Sequence, residues 1–296
     1  MIEVNGPANH SGMLAGRGCM DIPLILRVVG LAVLVLVILI AGAYALWSGV
    51  IQADIGRLRA QAKAPSGSVI TVERIAALPA PAVRYFTRAG VIGAAIPRLV
   101  RLSQAGRIRS GAEASWMDLT AEELYSTNLP AFIWRAGMPS LTLPVVLGRD
   151  AYLEGEGSIV MKLLALLPVA DERGDELRAA GLMRYLNEML WFPPPIWATT
   201  SRSSPIDADS LVSRSPTAGS QPKPPLSSTR TVARPTSAPS ATIRRRAAWK
   251  SWETPISATG PLAGLELPTH GAADWKLAGG DLRYIELEVT AVSYDD

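Results

Sequence analysis

Aromatic residues are missing from one long stretch of the chain. Between residues 198 and 248 there is none, although the whole chain holds 8 Trp, 7 Tyr and 3 Phe. Trp191, Phe192 and Trp197 stand before the gap; Trp249 and Trp252 stand after it. Ser, Pro, Thr, Ala and Arg fill it. Such a composition buries too little apolar surface to offset the entropy of ordering its backbone. The segment is expected to be disordered and to split one folded domain into two parts.

Cysteine is nearly absent. The single one, Cys19, precedes the apolar run described below. The remaining chain can therefore hold no disulfide, no thiolate nucleophile and no cysteine zinc site. A lipidation cysteine would follow an apolar run, and this one comes before it. Histidine is almost as scarce, with His10 and His270 alone. One histidine builds no metal centre without several converging carboxylates, and none show ligand spacing. There is no G-x-S-x-G elbow, no phosphate-binding Gly-rich loop and no dinucleotide fingerprint. No cofactor, no metal and no reaction are legible, and the reading leans away from an enzyme.

The net charge of +3 conceals an asymmetry. Residues 201–250 carry nine Lys/Arg and two acids; the rest carries 20 Lys/Arg and 24 acids. The basic character thus belongs to one segment, which argues against a nucleic-acid partner read by a folded basic face.

Residues 28–47 form a run of twenty without a charge. At about 1.5 Å per residue, such a helix spans about 30 Å, the thickness of a bilayer core. Tyr44 and Trp47 stand where interfacial aromatics belong. A retained single-pass anchor is the preferred reading because the run is long for a signal peptide. Ala43-Tyr44-Ala45 leaves a cleaved signal as the alternative. Either reading exports the domain that follows, as the missing cysteines also suggest, whereas the flanking Lys/Arg count slightly favours the opposite orientation. Met20 offers an alternative start.

The soluble part alternates helix and strand signals. Thr71 is placed to cap a short helix ending near Leu78, and Pro79-Ala80-Pro81 opens another. After Pro97 the period shortens to that of strands: residues 99–109, 115–119 and 131–135, then a hairpin through Gly155-Glu156-Gly157. Residues 174–192 read as the best soluble helix, with Leu182, Leu186, Met189 and Leu190 on one face. Arg184 and Glu188 on its other face read as a solvated surface pair. The acids Asp171, Glu172, Asp175 and Glu176 read as exposed charges near that helix start. In residues 284–290, Ile285, Leu287 and Val289 alternate with Glu286, Glu288 and Thr290, the pattern of an antiparallel sheet wet on one side.

Several of these segments resemble a known family. Leu78-Pro79-Ala80-Pro81-Ala82-Val83-Arg84-Tyr85-Phe86 resembles its LPxPVxRYL motif. Leu167-Pro168-Val169-Ala170-Asp171, Gly181-Leu182-Met183-Arg184-Tyr185-Leu186-Asn187-Glu188 and Trp191-Phe192-Pro193 resemble its VAD…GELMRYLAE…WFP motif. Leu267-Pro268-Thr269-His270-Gly271 is similar to a C-terminal LPTHG motif. The family is an uncharacterised bacterial domain of unknown function, often membrane-anchored. The resemblance implies two or three more strands where residues 198–248 stand. That segment is therefore either a natural disordered loop or the product of a frameshift in a GC-rich gene, since long structureless loops inside compact domains are uncommon.

The expected architecture is α+β: a curved antiparallel sheet with a packed helix, a half-barrel like that of lipoprotein carriers, preceded by one transmembrane helix. The expected divisions are a disordered tail (1–21), a transmembrane helix or signal anchor (22–48), a stalk (49–69), the first part of the domain (70–197), the disordered or frameshifted segment (198–248) and the C-terminal strands (249–296). The functional expectation is a membrane-anchored envelope protein binding a lipid or other apolar ligand between sheet and helix. Trp134, Tyr152, Tyr185 and Trp191 would line that space, because Trp and Tyr join an apolar body to a polar handle. The alternatives are a hydrolase using Asp171, Glu188 or His270, and a structural partner of another membrane protein.

Overall fold

The computed structural model describes residues 22–62, 69–78, 80–140, 143–192, 203–207, 210–213, 229–232, 240–245, 248–277 and 279–295. The expected N-terminal tail lies outside them, as does much of the Ser/Pro/Arg segment. The chain forms two compact units, residues 1–42 and 43–296.

Four helices are present among the described residues: α1 (Ile22–Gln61), α2 (Val72–Ala76), α3 (Ala80–Ala89) and α4 (Asp175–Glu188). A 3-10 turn, Met189–Trp191, follows α4. The strands are β1 (Leu99–Ile108), β2 (Met117–Ser126), β3 (Ala131–Ser140), β4 (Leu143–Leu153), β5 (Glu156–Leu163), β6 (Leu167–Arg173), β7 (Ser203–Asp207), β8 (Ser210–Ser213), β9 (Thr229–Val232), β10 (Ser240–Arg245), β11 (Ala248–Glu253), β12 (Ile256–Leu262), β13 (Leu265–Leu277) and β14 (Gly280–Asp295).

In the first unit, the described part of α1 is an apolar surface without a buried residue across the most hydrophobic window. It is long and apolar enough to cross a membrane.

The second unit is one antiparallel sheet. Its order is β6-β5-β4-β3-β2-β1-β14-β13-β11-β10-β9-β8-β7, with β12 also paired to β13. The C-terminal strand β14 returns to lie beside β1, pairing Leu99 with Asp295 and Ile108 with Ile285. Residues on either side of the Ser/Pro/Arg segment therefore share one sheet. The sheet is curved: α4 packs on β5, and β10 meets the same helix from far along the strand order.

Period-2 alternation gives each strand two faces. From β2 and β3, Tyr125, Phe132 and Trp134 face α4, packing with Met183, Tyr185, Met189 and Phe192. From the same strands, Leu124 and Ile133 face the other way and meet Trp47, Ile51, Ile55 and Leu58 of α1. Residues 51–62 of the segment read as a stalk are thus a packed layer of the domain. Its apolar residues recur every three or four positions, which puts them on one helix face. Leu58 is wholly buried, and Asp54 beneath the helix accepts from Arg149 Nε of β4 at 2.6 Å. Helices α2 and α3 form a third cluster, in which Ile70, Ile75 and Phe86 pack with Leu267 of β13. Thr71 caps α2 as its sequence suggests, accepting from the Arg74 N–H at 3.3 Å.

The α+β expectation holds: one curved antiparallel sheet, with α4 on one face and an apolar N-terminal helix before it.

Candidate functional site

The sheet face under α4 combines an aromatic cluster with a group of buried charges. Helix α4 seats closely because two glycines allow it. A Cβ on Gly157 of β5 would stand 2.1 Å from the Leu177 carbonyl oxygen of the helix. A Cβ on Gly181 would stand 2.7 Å from the Tyr152 ring. This close approach carries Arg184 down onto the sheet.

Arg184 is the centre of the charge group. Its Nη2 donates to Glu123 Oε1 at 2.7 Å, its Nη1 to Asp150 Oδ2 at 2.6 Å, and its Nε to Glu188 Oε1 at 2.9 Å. The guanidinium also lies over the Phe132 ring, 4.8 Å from its centroid, and 5.5 Å from that of Trp134. Tyr125 donates its hydroxyl proton to Glu188 at 2.9 Å. Gln104 of β1 donates to Glu123 at 3.2 Å and accepts from the Trp134 indole N–H at 2.8 Å.

One cation thus faces three carboxylates in a largely dry place. The Glu123 side chain is wholly buried, while those of Arg184, Glu188 and Asp150 retain 19%, 16% and 22% of their exposure. Burial pushes Glu123 up to about 8, against the pull of Arg184, with help from the negative charges of Glu188 and Asp150. Burial raises Glu188 as well. Burial opposes the charge on Arg184, yet the three carboxylates hold it firmly protonated. The expectation of a solvated Arg184–Glu188 pair is corrected here. The two residues are four apart on α4, but the sheet supplies Glu123 and Asp150 beneath them.

The four residues expected to bind a ligand fall in this same region. Trp134, Tyr152 and Tyr185 belong to the buried cluster, and Trp191 packs against its edge. Tyr185 is wholly buried and donates to the Ser126 carbonyl at 2.7 Å. The Trp191 indole N–H donates to the Pro268 carbonyl at 2.9 Å, and its own carbonyl accepts from Tyr294. Under α4 their volume is taken up by side chains. Toward β1, β14 and β13 the cover thins: Ile108, Trp275, Tyr284 and Leu287 are only half-buried.

The residues of the hydrolase alternative do not converge. Glu188 is in the charge group. Asp171 is exposed on the outermost strand, β6, beside Arg173. His270 lies on the opposite sheet face, its Nε2 4.0 Å from Glu288. There it borders an open cleft of about 530 Å³ lined by Arg107, Asp118, Arg283 and Glu286 among others. No group of three or more His, Cys, Asp or Glu suited to a metal occurs among the described residues.

A family model matches residues 68–287. The chain belongs to DUF6544, a family of unknown function. The match covers β1 to β13, the first half of β14, α4 and the residues of the charge group. No curated protein matches this DUF6544 chain. Among solved structures it is similar to a LolA superfamily protein from Nitrosomonas europaea: 10% identity, 67% of this chain and 86% of the other, TM-score 0.33. It is also similar to a DUF1329 family protein from Desulfovibrio piger: 7% identity, 73% of this chain and 90% of the other, TM-score 0.33.

Sequence reasoning missed Glu123, Asp150 and Gln104. A signal for the first exists. Glu122 and Glu123 are adjacent in a strand, so alternation must send one of them to each face. Glu122 goes outward to Arg135 and Arg101, and Glu123 goes inward.

Proposed function

We propose that this chain is a membrane-tethered envelope module, without catalytic activity, that holds a lipid or other apolar ligand against the α4 face of its sheet. The observation that carries the reading is the uneven cover of that face. Helix α4 closes it over β4 and β5, while at the far ends of β1, β14 and β13 Ile108, Leu287, Tyr284 and Trp275 are only half-buried. A continuous apolar surface with a partial cover suits a ligand of lipid type. Trp134, Tyr152 and Tyr185 form the wall on the covered side, and Trp191 the rim. The charge group fastens α4 at the border of this surface, so its hydrogen bonds set how readily the cover lifts.

The apolar part of α1 supports a single-pass tether, which keeps the domain beside a supply of lipid and, in the exported reading, outside the cytoplasm. We further propose that residues 70–197 and 249–296 act as one functional domain divided by residues 198–248.

Native mass spectrometry of the full chain, purified in mild detergent and again after delipidation, tests the ligand. The expected result is an extra mass of lipid size that delipidation removes, with saturable uptake of a fluorescent fatty acid thereafter. Trp275→Ala should weaken uptake by roughly tenfold, as loss of a large aromatic contact does. Identical masses in both preparations, together with no uptake, would remove the proposal.

A further inference from the structure

The two turns that close strand β5 have the same backbone and opposite chemistry. At one end, between β4 and β5, Glu154 and Gly155 adopt φ of 55° and 82°. At the other end, between β5 and β6, Leu164 and Ala165 adopt φ of 51° and 60°, and the Leu166 N–H donates to the Leu163 carbonyl at 3.0 Å. Two successive positive φ values call for Asn, Asp or Gly, because a Cβ is strained there. The Glu-Gly turn meets that rule at its second position, with Gly155, and puts a polar Glu154 at its first. The Leu-Ala turn breaks it, and adds apolar neighbours: Leu166, Leu167 and Val169 are 39%, 61% and 63% exposed. A solvent-facing turn has no use for this combination.

The place of the turn supplies the use. Ala165 is buried in the cluster that holds Trp47, with Ala43 and Tyr44 packed against it. Lys162 stands 5.5 Å from the centroid of the Trp47 ring. Residues 43–47 are the end of the uncharged apolar run of α1. The turn therefore sits where a membrane-crossing α1 would leave the bilayer, at the level of Tyr44 and Trp47. From these observations we infer that the Leu164–Val169 tip is a second membrane contact, inserting Leu166, Leu167 and Val169 into the interfacial layer of the same bilayer. Lys162 faces the lipid phosphates from beside Trp47. The inference rests on the tether reading of α1 and adds to it a second point of contact with the bilayer.

The tip is unsuited to pairing with the edge of another copy. Pro168 lacks an N–H to donate, and the β5–β6 register shifts between Met161 and Lys162, both of which blunt an edge strand. What the tip offers is apolar side chains and a cation, the pair that an anionic lipid surface receives.

The experiment uses the full chain carrying Cys19→Ser, with a single nitrobenzoxadiazole probe on Leu167→Cys or on Glu156→Cys. Glu156 starts β5 at its polar end, about 23 Å from the tip at roughly 3.3 Å per residue. Both proteins are reconstituted into phosphatidylcholine–phosphatidylglycerol liposomes with and without brominated acyl chains. Flotation in a sucrose gradient is read first. Floating protein with a blue-shifted Leu167→Cys probe, quenched at least about threefold more than the Glu156→Cys probe, is the expected result. Flotation with both probes equally unquenched overturns the tip contact and leaves the tether intact. Failure to float overturns both. Disulfide cross-linking between Leu167→Cys chains without lipid quenching assigns the tip to a second copy and also overturns the inference.

Discussion

A guanidinium that serves three carboxylates at once cannot be replaced by an ammonium. Arg184 uses Nε, Nη1 and Nη2 on three different residues, a fork that lysine cannot reproduce. Arg184→Lys should therefore destabilise the chain by roughly 2–4 kcal/mol, and Arg184→Met by about 3–5 kcal/mol, because it leaves buried carboxylates unpaired. Urea titration of the detergent-solubilised protein measures both. Glu123 adds a pH dependence. Its folded value, about 8, lies above the ordinary 4.5, so the folded chain keeps a proton that the unfolded chain has released. That contribution is complete below about pH 4.5 and is lost as pH rises to about 8. Urea midpoints should fall from pH 5 to pH 8, and Glu123→Gln should flatten the slope. A slope unchanged in that variant would refute the assignment. The Arg184–Glu188 spacing is plain in the sequence. Its surroundings were hidden, because Asp150 and Glu123 lie 34 and 61 residues away from Arg184.

At the scale of elements, α4 is the part the sequence announces best. Its apolar spacing and terminal acids mark residues 174–192, and the structure places a helix over Asp175–Glu188 followed by a tight turn. The alternation in β14 was equally clear, with Ile285 and Val289 buried and Glu288 and Thr290 exposed. The second half of α1 was misjudged. The sequence reads it as part of a stalk, yet Asp54 is buried against Arg149. Trp47, Ile51, Ile55 and Leu58 form one apolar helix face, and what the sequence could not show was the sheet that receives it. Asp54→Ala strands Arg149 in that interface and should lower stability by about 3–5 kcal/mol in the same urea assay. The seat of α4 is just as specific. Gly157→Ala puts a methyl group against the Leu177 carbonyl and should lift the N-terminal turn of α4, costing about 1–3 kcal/mol. Hydrogen exchange in residues 175–180 should quicken while β2 and β3 remain protected.

At the scale of the molecule, the sheet has helices on both faces, and the layer formed by residues 43–62 belongs to the fold. Removing residues 1–42 should leave a folded body. Removing residues 1–62 uncovers Leu99, Leu124, Ile133 and Leu147 and discards Ile51, Ile55 and Leu58, each worth about 2 kcal/mol of burial. Circular dichroism and gel filtration of the two truncations should give a cooperative monomer from the first and an aggregate from the second.

The central claim is that α4 is a cover, fastened by Arg184, over an apolar face that receives a ligand. Hydrogen–deuterium exchange on the full chain, with and without a bound fatty acid, tests it most directly. The account predicts that residues 175–191 exchange faster than β1–β3 in the delipidated protein and slow markedly when the ligand binds. Equal protection of α4 and the strands, unchanged by ligand, would contradict it.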